Sequence, residues 1–309
     1  MPVHPTTQFE YWPSLHLRDW QGTYTTLHMW AQIVGKVRLK LAPPINHWWH
    51  VTSYVTPRGM TTSAIPYGQR TFEVQFDFND HRLIVNTSDG KTSSFPLAPY
   101  SVAEFYGRFM DLLKHLDIEV DIWPVPVEVE NRIPFDKDVT HASYDSESVN
   151  RLWRILVQSD RVMKTFRSRF IGKCSPVHFF WGAFDMAVTR FSGRRAPLHP
   201  PAPNLAHYVA IEAYSHEVSS CGFWPGGGPI TDPVYYAYAY PEPEGFRDFE
   251  VGPEAAFYNK DLSEFLLPYE AVRTARDPDG ELLAFFQITY EAAAVTGGWN
   301  RSELERAEG

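Results

Sequence analysis

Two stretches of this chain, 44–59 and 176–193, follow one order of residue types, and each comes after the end of a helical pattern. The first reads Val34-Gly35-Lys36, Pro44, His47-Trp48-Trp49, then Thr56 and Arg58-Gly59. The second reads Ile171-Gly172-Lys173, Pro176, His178-Phe179-Phe180, then Thr189-Arg190 and Gly193-Arg194. Such an order implies an α+β unit written twice, and two similar halves packed together leave a cleft where a ligand can sit. Two unrelated halves packed as one α+β domain is the alternative, because the apolar faces of the opening helices do not superpose when Gly35 is aligned with Gly172.

Local patterns fill in the halves. Leu17, Trp20, Tyr24, Leu27, Ala31 and Val34 recur at steps of three and four, which predicts a helix over 16–34 with Gly35 as its cap. Strands are expected over 47–56 and 60–65, and Phe72, Val74, Phe76 and Phe78 alternate with polar residues as on a half-buried strand. Asn79-Asp80 and Asp89-Gly90 turn the chain into further strands over 81–87 and 92–97. Ser101 with Glu104 has the form of a capping box and opens a helix to about 116. An extended stretch over 119–129, with Pro124 and Pro126, leads into a polar linker, 131–145, which divides an N-terminal half (1–130) from a C-terminal half (146–309). The second half is expected to run as a helix over 146–170, strands over 177–190, 208–222 and 234–240, a helix starting at Asp261 or Ser263, and a last helix over 282–294. The expected fold class is therefore α+β, antiparallel sheet with helices packed on one side and an internal pseudo-duplication.

Ten Trp, 16 Tyr and 21 Phe suit sheet cores and also the walls of pockets that grip flat or apolar molecules. A formal charge of -9 opposes attraction to nucleic acid or anionic membrane. No stretch is apolar for long enough to span a bilayer, and the opening MPVHPTTQFEYWP lacks a basic region followed by an apolar run. Cys174 and Cys221, without CxxC spacing, fit a reducing cytoplasm, and one bridge between them is compatible with that count. These features together predict a cytoplasmic protein with a small-molecule ligand and neither nucleic acid nor membrane as partner.

Familiar catalytic signatures are missing. Gly35-Lys36 and Gly172-Lys173 lack the upstream glycine of a P-loop, Gly226-Gly227-Gly228 follows no βα pattern, and no GxSxG occurs. His216-Glu217 begins like HExxH, but Ser220 stands where the second His belongs. What remains are ionisable residues inside aromatic strands, where burial is costly unless the group is paired or bound to something. His178, His216, Glu217 and Asp185 are the candidate catalytic acids and bases. On one unbroken strand His178 and Asp185 would point to opposite faces, so their cooperation requires a break at Gly182. Arg190 and Arg194 are candidates to clamp a carboxylate or phosphate, and Trp181 and Trp224 to line the pocket. His47, His50 and His178 are candidate ligands of a divalent metal. The expected function is an enzyme acting on a small, anionic molecule in a cleft between the halves, by His/carboxylate acid-base or metal-assisted chemistry. The alternatives are a non-catalytic binding protein with an aromatic-lined cavity and an assembly protein with a flat apolar patch.

Read as whole phrases, FIGKCSPVHFFWG, TRFSGRRAP, YSHEVSSCGFWPGGG and NHWWHV resemble a bacterial family catalogued only as a domain of unknown function. The resemblance runs from Trp12 to about Glu291 and implies one co-inherited unit. It carries no reaction, cofactor or catalytic residue.

Overall fold

A helix whose central turns are buried on every side organises the chain. In the computed structural model, which describes residues 9–201 and 205–307, α1 (Leu17–Leu41) is buried at every position from Thr26 to Arg38. The helix therefore runs past Gly35, which is an interior position and not a cap. The reason lies across the chain: the Trp181 indole fills the space a methyl group at Gly35 would need, and its Nε1 donates to the Val51 carbonyl at 2.7 Å.

The first half surrounds α1 with an antiparallel sheet: β1 (Tyr54–Thr56), β2 (Gly59–Thr61), β3 (Ile65–Tyr67), β4 (Arg70–Asp77), β5 (Arg82–Thr87) and β6 (Thr92–Pro96). Its order is β1-β2-β4-β5-β6, with β3 also on β4. Phe72, Val74 and Phe76 point inward as their alternation predicts. The stack continues through Phe105 of α2 (Val102–His115), whose ring lies 4.6 Å from that of Trp30 and 6.2 Å from that of Phe76. Ser101 and Glu104 form the reciprocal capping box that opens α2.

The second half begins with α3 (Ser146–Ser168) and builds another antiparallel sheet from β7 (His178–Phe180), β8 (Asp185–Arg195), β9 (His216–Trp224), β10 (Val234–Tyr240), β11 (Phe257–Asn259) and β12 (Glu264–Pro268). A short helix, α4 (His207–Ala213), precedes β9, and α5 (Tyr269–Thr274), α6 (Pro278–Thr296) and α7 (Arg301–Leu304) follow. The sheet order is β11-β12-β10-β9-β8-β7. One face packs on α3 and α6, where Phe286 lies 5.8 Å from both Phe166 and Tyr235, and Ser159 hydrogen-bonds Tyr235 at 2.8 Å. This is an α+β chain with helices packed against antiparallel sheets.

Several local expectations change. Residues 46–51 form a 3-10 turn, with His47 and Trp48 in the left-handed region, instead of a strand. Residues 177–190 make a hairpin, because the chain reverses through Gly182 and Phe184, the latter at φ 60. His178 pairs with Ala187 across that hairpin, which puts His178 and Asp185 on the same face. Residues 207–213 are helical, and Glu264-Phe265 begins a strand whose Phe265 and Leu267 turn inward by alternation. These differences bear on the duplication, which is not confirmed. His47 sits in a turn and its counterpart His178 in a strand; Glu104 caps a helix while Glu264 opens a strand. Both cysteines are free, and among the described residues no helix is long and apolar enough to cross a membrane. The opening MPVHPTTQ and residues 202–204 of the loop before α4 lie outside the described residues.

Gly35→Ala would normally favour a helix by about 1 kcal/mol. Here the added methyl meets the buried Trp181 ring, so urea unfolding should show a net loss of about 2 kcal/mol.

Candidate functional site

The face of the second sheet turned away from α3 and α6 carries a row of polar and aromatic residues. Ala187 on β8 pairs with Gly222 on β9, and Gly222 with Tyr236 on β10. Gly222 has no side chain to block Tyr236, whose ring lies where a methyl group at 222 would be. The phenol thus reaches across β9 and donates its hydrogen bond to Asp185 Oδ2 at the start of β8. In the next row Thr189 bonds Ser220 at 2.9 Å, Ser220 faces Tyr238, and Tyr238 meets the Tyr214 hydroxyl at 2.9 Å.

Two further carboxyls approach Asp185. Glu128 comes from the extended segment after α2, at a left-handed φ of 57, and its Oε1 lies against Gly182 where any side chain would collide. That segment is held by α1: Gln32 accepts from Val127 N at 2.9 Å and donates to Val127 O at 2.8 Å. His28 of α1 bonds the Gly182 carbonyl at 2.8 Å, fixing the hairpin turn on the other side. Glu264, at the start of β12, is the third. All three carboxyls are half-buried, and among the described residues none has a basic partner.

Burial sets the proton affinities. It raises Asp185 to about 6, against the opposing pull of the Tyr236 hydroxyl. It raises Glu128 and Glu264 to about 7 each, and the negative charge of Asp185 adds to both. Tyr24 of α1, beside Trp224 and near Asp185, is pushed by burial to about 12, as is Tyr214, so both remain proton donors. Carboxyl groups poised near neutrality beside fixed phenols can give and take protons at physiological pH.

The residues expected from sequence are scattered over this region. Asp185 is at the centre and Trp224 at its border. Trp181 fills the notch at Gly35 instead of lining a pocket. Glu217 binds Arg194 at 2.7 Å and Ser192 at 2.8 Å, and Arg194 also donates to the carbonyls of Gly297 and Gly298. Arg190 is 1% exposed, donates to the Phe166 carbonyl and is stacked between Phe166 at 3.5 Å and Tyr290 at 4.3 Å. His178 is also 1% exposed, with both ring nitrogens unpartnered among Trp49, Tyr54 and Phe180. The metal candidates are not gathered: His47 Nδ1 bonds the Ala213 carbonyl and His50 Nδ1 accepts from Ile45 N. Among the described residues no group of three His, Cys, Asp or Glu is placed to hold a metal ion. His216 lies instead beside His47, with ring centres 5.8 Å apart. Two open hollows of about 420 and 280 Å³, one lined by His141 and Tyr144 and one by Tyr54 and Arg167, lie away from Asp185.

Glu128 and Glu264 escaped the sequence reading. Their signal was a single carboxylate inside an apolar phrase, Val127-Glu128-Val129 and Glu264-Phe265-Leu266-Leu267. Tyr236 and Tyr238 shared a predicted strand face, but nothing in the sequence joined them to Asp185.

Burial, with Arg38 adding to it, drives His178 from 6.5 down to about 3. The ring stays neutral when folded and takes a proton when unfolded, so its contribution destabilises progressively as pH falls below 6.5. Between pH 7.5 and 5, His178→Leu should lose about 2 kcal/mol less stability than the parent chain in urea titrations.

A family model described as a family of unknown function, DUF5996, matches residues 12–306. The chain belongs to that family. No curated protein and no solved structure matches it.

Proposed function

We propose that this DUF5996 member is an enzyme that performs general acid-base chemistry on a small molecule at Asp185, Glu128 and Glu264. The observation that carries the reading is the unequal environment of three neighbouring carboxyls. Asp185 receives a hydrogen bond from Tyr236 and loses its proton first, near 6. Glu128 and Glu264 receive none among the described residues and keep theirs to about 7. The Tyr236 hydrogen bond favours the ionised form of Asp185 and assigns the roles: Asp185 accepts a proton from the substrate, and a glutamic acid returns one. Three carboxyls with no basic neighbour among the described residues repel an anion, so the part of the substrate that enters here is neutral or cationic. The chemistry falls to carboxyls and phenols in place of the histidines expected from sequence. A cytoplasmic setting, read from the two unpaired cysteines, belongs to the same proposal.

The rings of Tyr24, Tyr214, Tyr236, Tyr238 and Trp224 favour a second reading, a non-catalytic site that holds a flat or cationic ligand against aromatic walls.

Mass spectrometry of a metabolite extract incubated with the protein distinguishes the two. Compounds consumed by the parent should be spared by Asp185→Asn, with turnover at least about 100-fold slower. A compound retained unchanged by both proteins would establish the binding reading and end the catalytic one. Turnover should rise with pH as Asp185 ionises near 6 and fall as the glutamic acids ionise near 7. A rate flat from pH 5 to 8 would remove Asp185 from the chemistry.

A further inference from the structure

We propose that His47, Lys173 and His216 form a second site, which receives the oxyanion group of a small molecule, a phosphate or a carboxylate. The proposal is independent of the acid-base reading, since this cluster lies roughly 20 Å farther along β8, at the level of Phe191.

Three phrases singled out in the sequence meet here: NHWWHV brings His47 and Trp49, FIGKCSP brings Lys173, and YSHEV brings His216. A carbonyl only accepts, so His47 Nδ1 carries the proton it donates to Ala213 O at 2.9 Å. Its Nε2 lone pair therefore accepts from the Lys173 ammonium at 2.6 Å. His47 is 5% exposed, and its backbone and that of Trp48 are held at φ 58 and 62. Non-glycine residues seldom adopt that conformation unless their surroundings over-determine it, and functional sites are where it concentrates. Lys173 is exposed and reaches over the rings of Trp49 at 5.6 Å and Phe191 at 4.9 Å. His216 spends Nδ1 on the Ser215 hydroxyl at 3.1 Å, which leaves Nε2 for a ligand.

No carboxylate neutralises this group among the described residues. The chain has 37 Asp and Glu against 28 Lys and Arg, yet no acid among the described residues pairs with Lys173. Glu217, next to His216 in sequence, is bound to Arg194, and Glu212 of α4 acts on His50. Burial lowers His47, His216 and Lys173, and positive neighbours lower the imidazoles further: Lys173 acts on both, and Arg195 on His216. An ammonium without a counter-charge is the arrangement an incoming oxyanion relieves, through a charge-assisted hydrogen bond from Lys173 and a hydrogen bond from His216 Nε2, with His47 orienting the ammonium. Arg190 and Arg194, which the sequence suggested for this role, are both committed elsewhere.

The test is a titration of the full chain, in chelator and at low salt, with inorganic phosphate and separately with acetate, read from the histidine ring resonances. Phosphate, acetate or both should shift His47 and His216 saturably and raise the apparent pKa of His216, while exposed His115 follows ionic strength alone. Saturation with phosphate only assigns a phosphate ester, and saturation with acetate assigns a carboxylate. Lys173→Met should weaken binding at least tenfold, and His216→Gln gives the same reading if that variant fails to fold. Shifts that do not saturate, or that His115 shares, would overturn the proposal. So would saturable binding that neither substitution weakens.

Discussion

Polar side chains on a helical stretch with no solvent face must find partners inside the protein, and the partners chosen by residues 26–38 of α1 decide the rest. Gln32 closes on both backbone groups of Val127, and His28 takes the carbonyl of Gly182. Left unpaired, each of these buried groups would cost about 1–3 kcal/mol. The two clasps fix separate segments of chain, one before Glu128 and one at the hairpin turn before Asp185. A helix in the first half thereby sets how two carboxyls of the candidate site face each other. Packing alone would leave that distance loose; the hydrogen bonds define it.

Missing side chains matter as much as present ones. Gly35 admits the Trp181 indole, Gly182 admits the Glu128 carboxyl, and Gly222 lets the Tyr236 ring cross a strand. Each concession brings together groups from elements distant in sequence. Arg190 shows the reverse logic: its guanidinium, stacked between aromatic rings and bonded to the Phe166 carbonyl, serves cohesion among α3, β8 and α6.

Elements with a strong local code were legible in the sequence. The alternation over Phe72–Phe78, the capping box at Ser101 and the strand from Val234 to Tyr240 all lie where their patterns put them. Other segments went astray where long-range contacts outweigh local propensity. His47 and Trp48 read as strand residues but are held in a tight turn, and Glu264-Phe265 echoes a helix start yet pairs with β10. Asp185 was recognised because a carboxylate among aromatic residues is conspicuous. Its partners were not, since Glu128 and Glu264 gain meaning only when the chain folds them toward it.

The outer face of the second sheet ends in opposite polarities, acidic near Asp185 and basic near Phe191. Mobile ions damp such fields over about 8 Å at physiological salt, a fraction of the strand length between them. Each end therefore presents its own electrostatic identity to the surrounding solution. Occupancy at one leaves the other's potential nearly untouched, so any communication between them must travel through the rigid strands of β8 and β9.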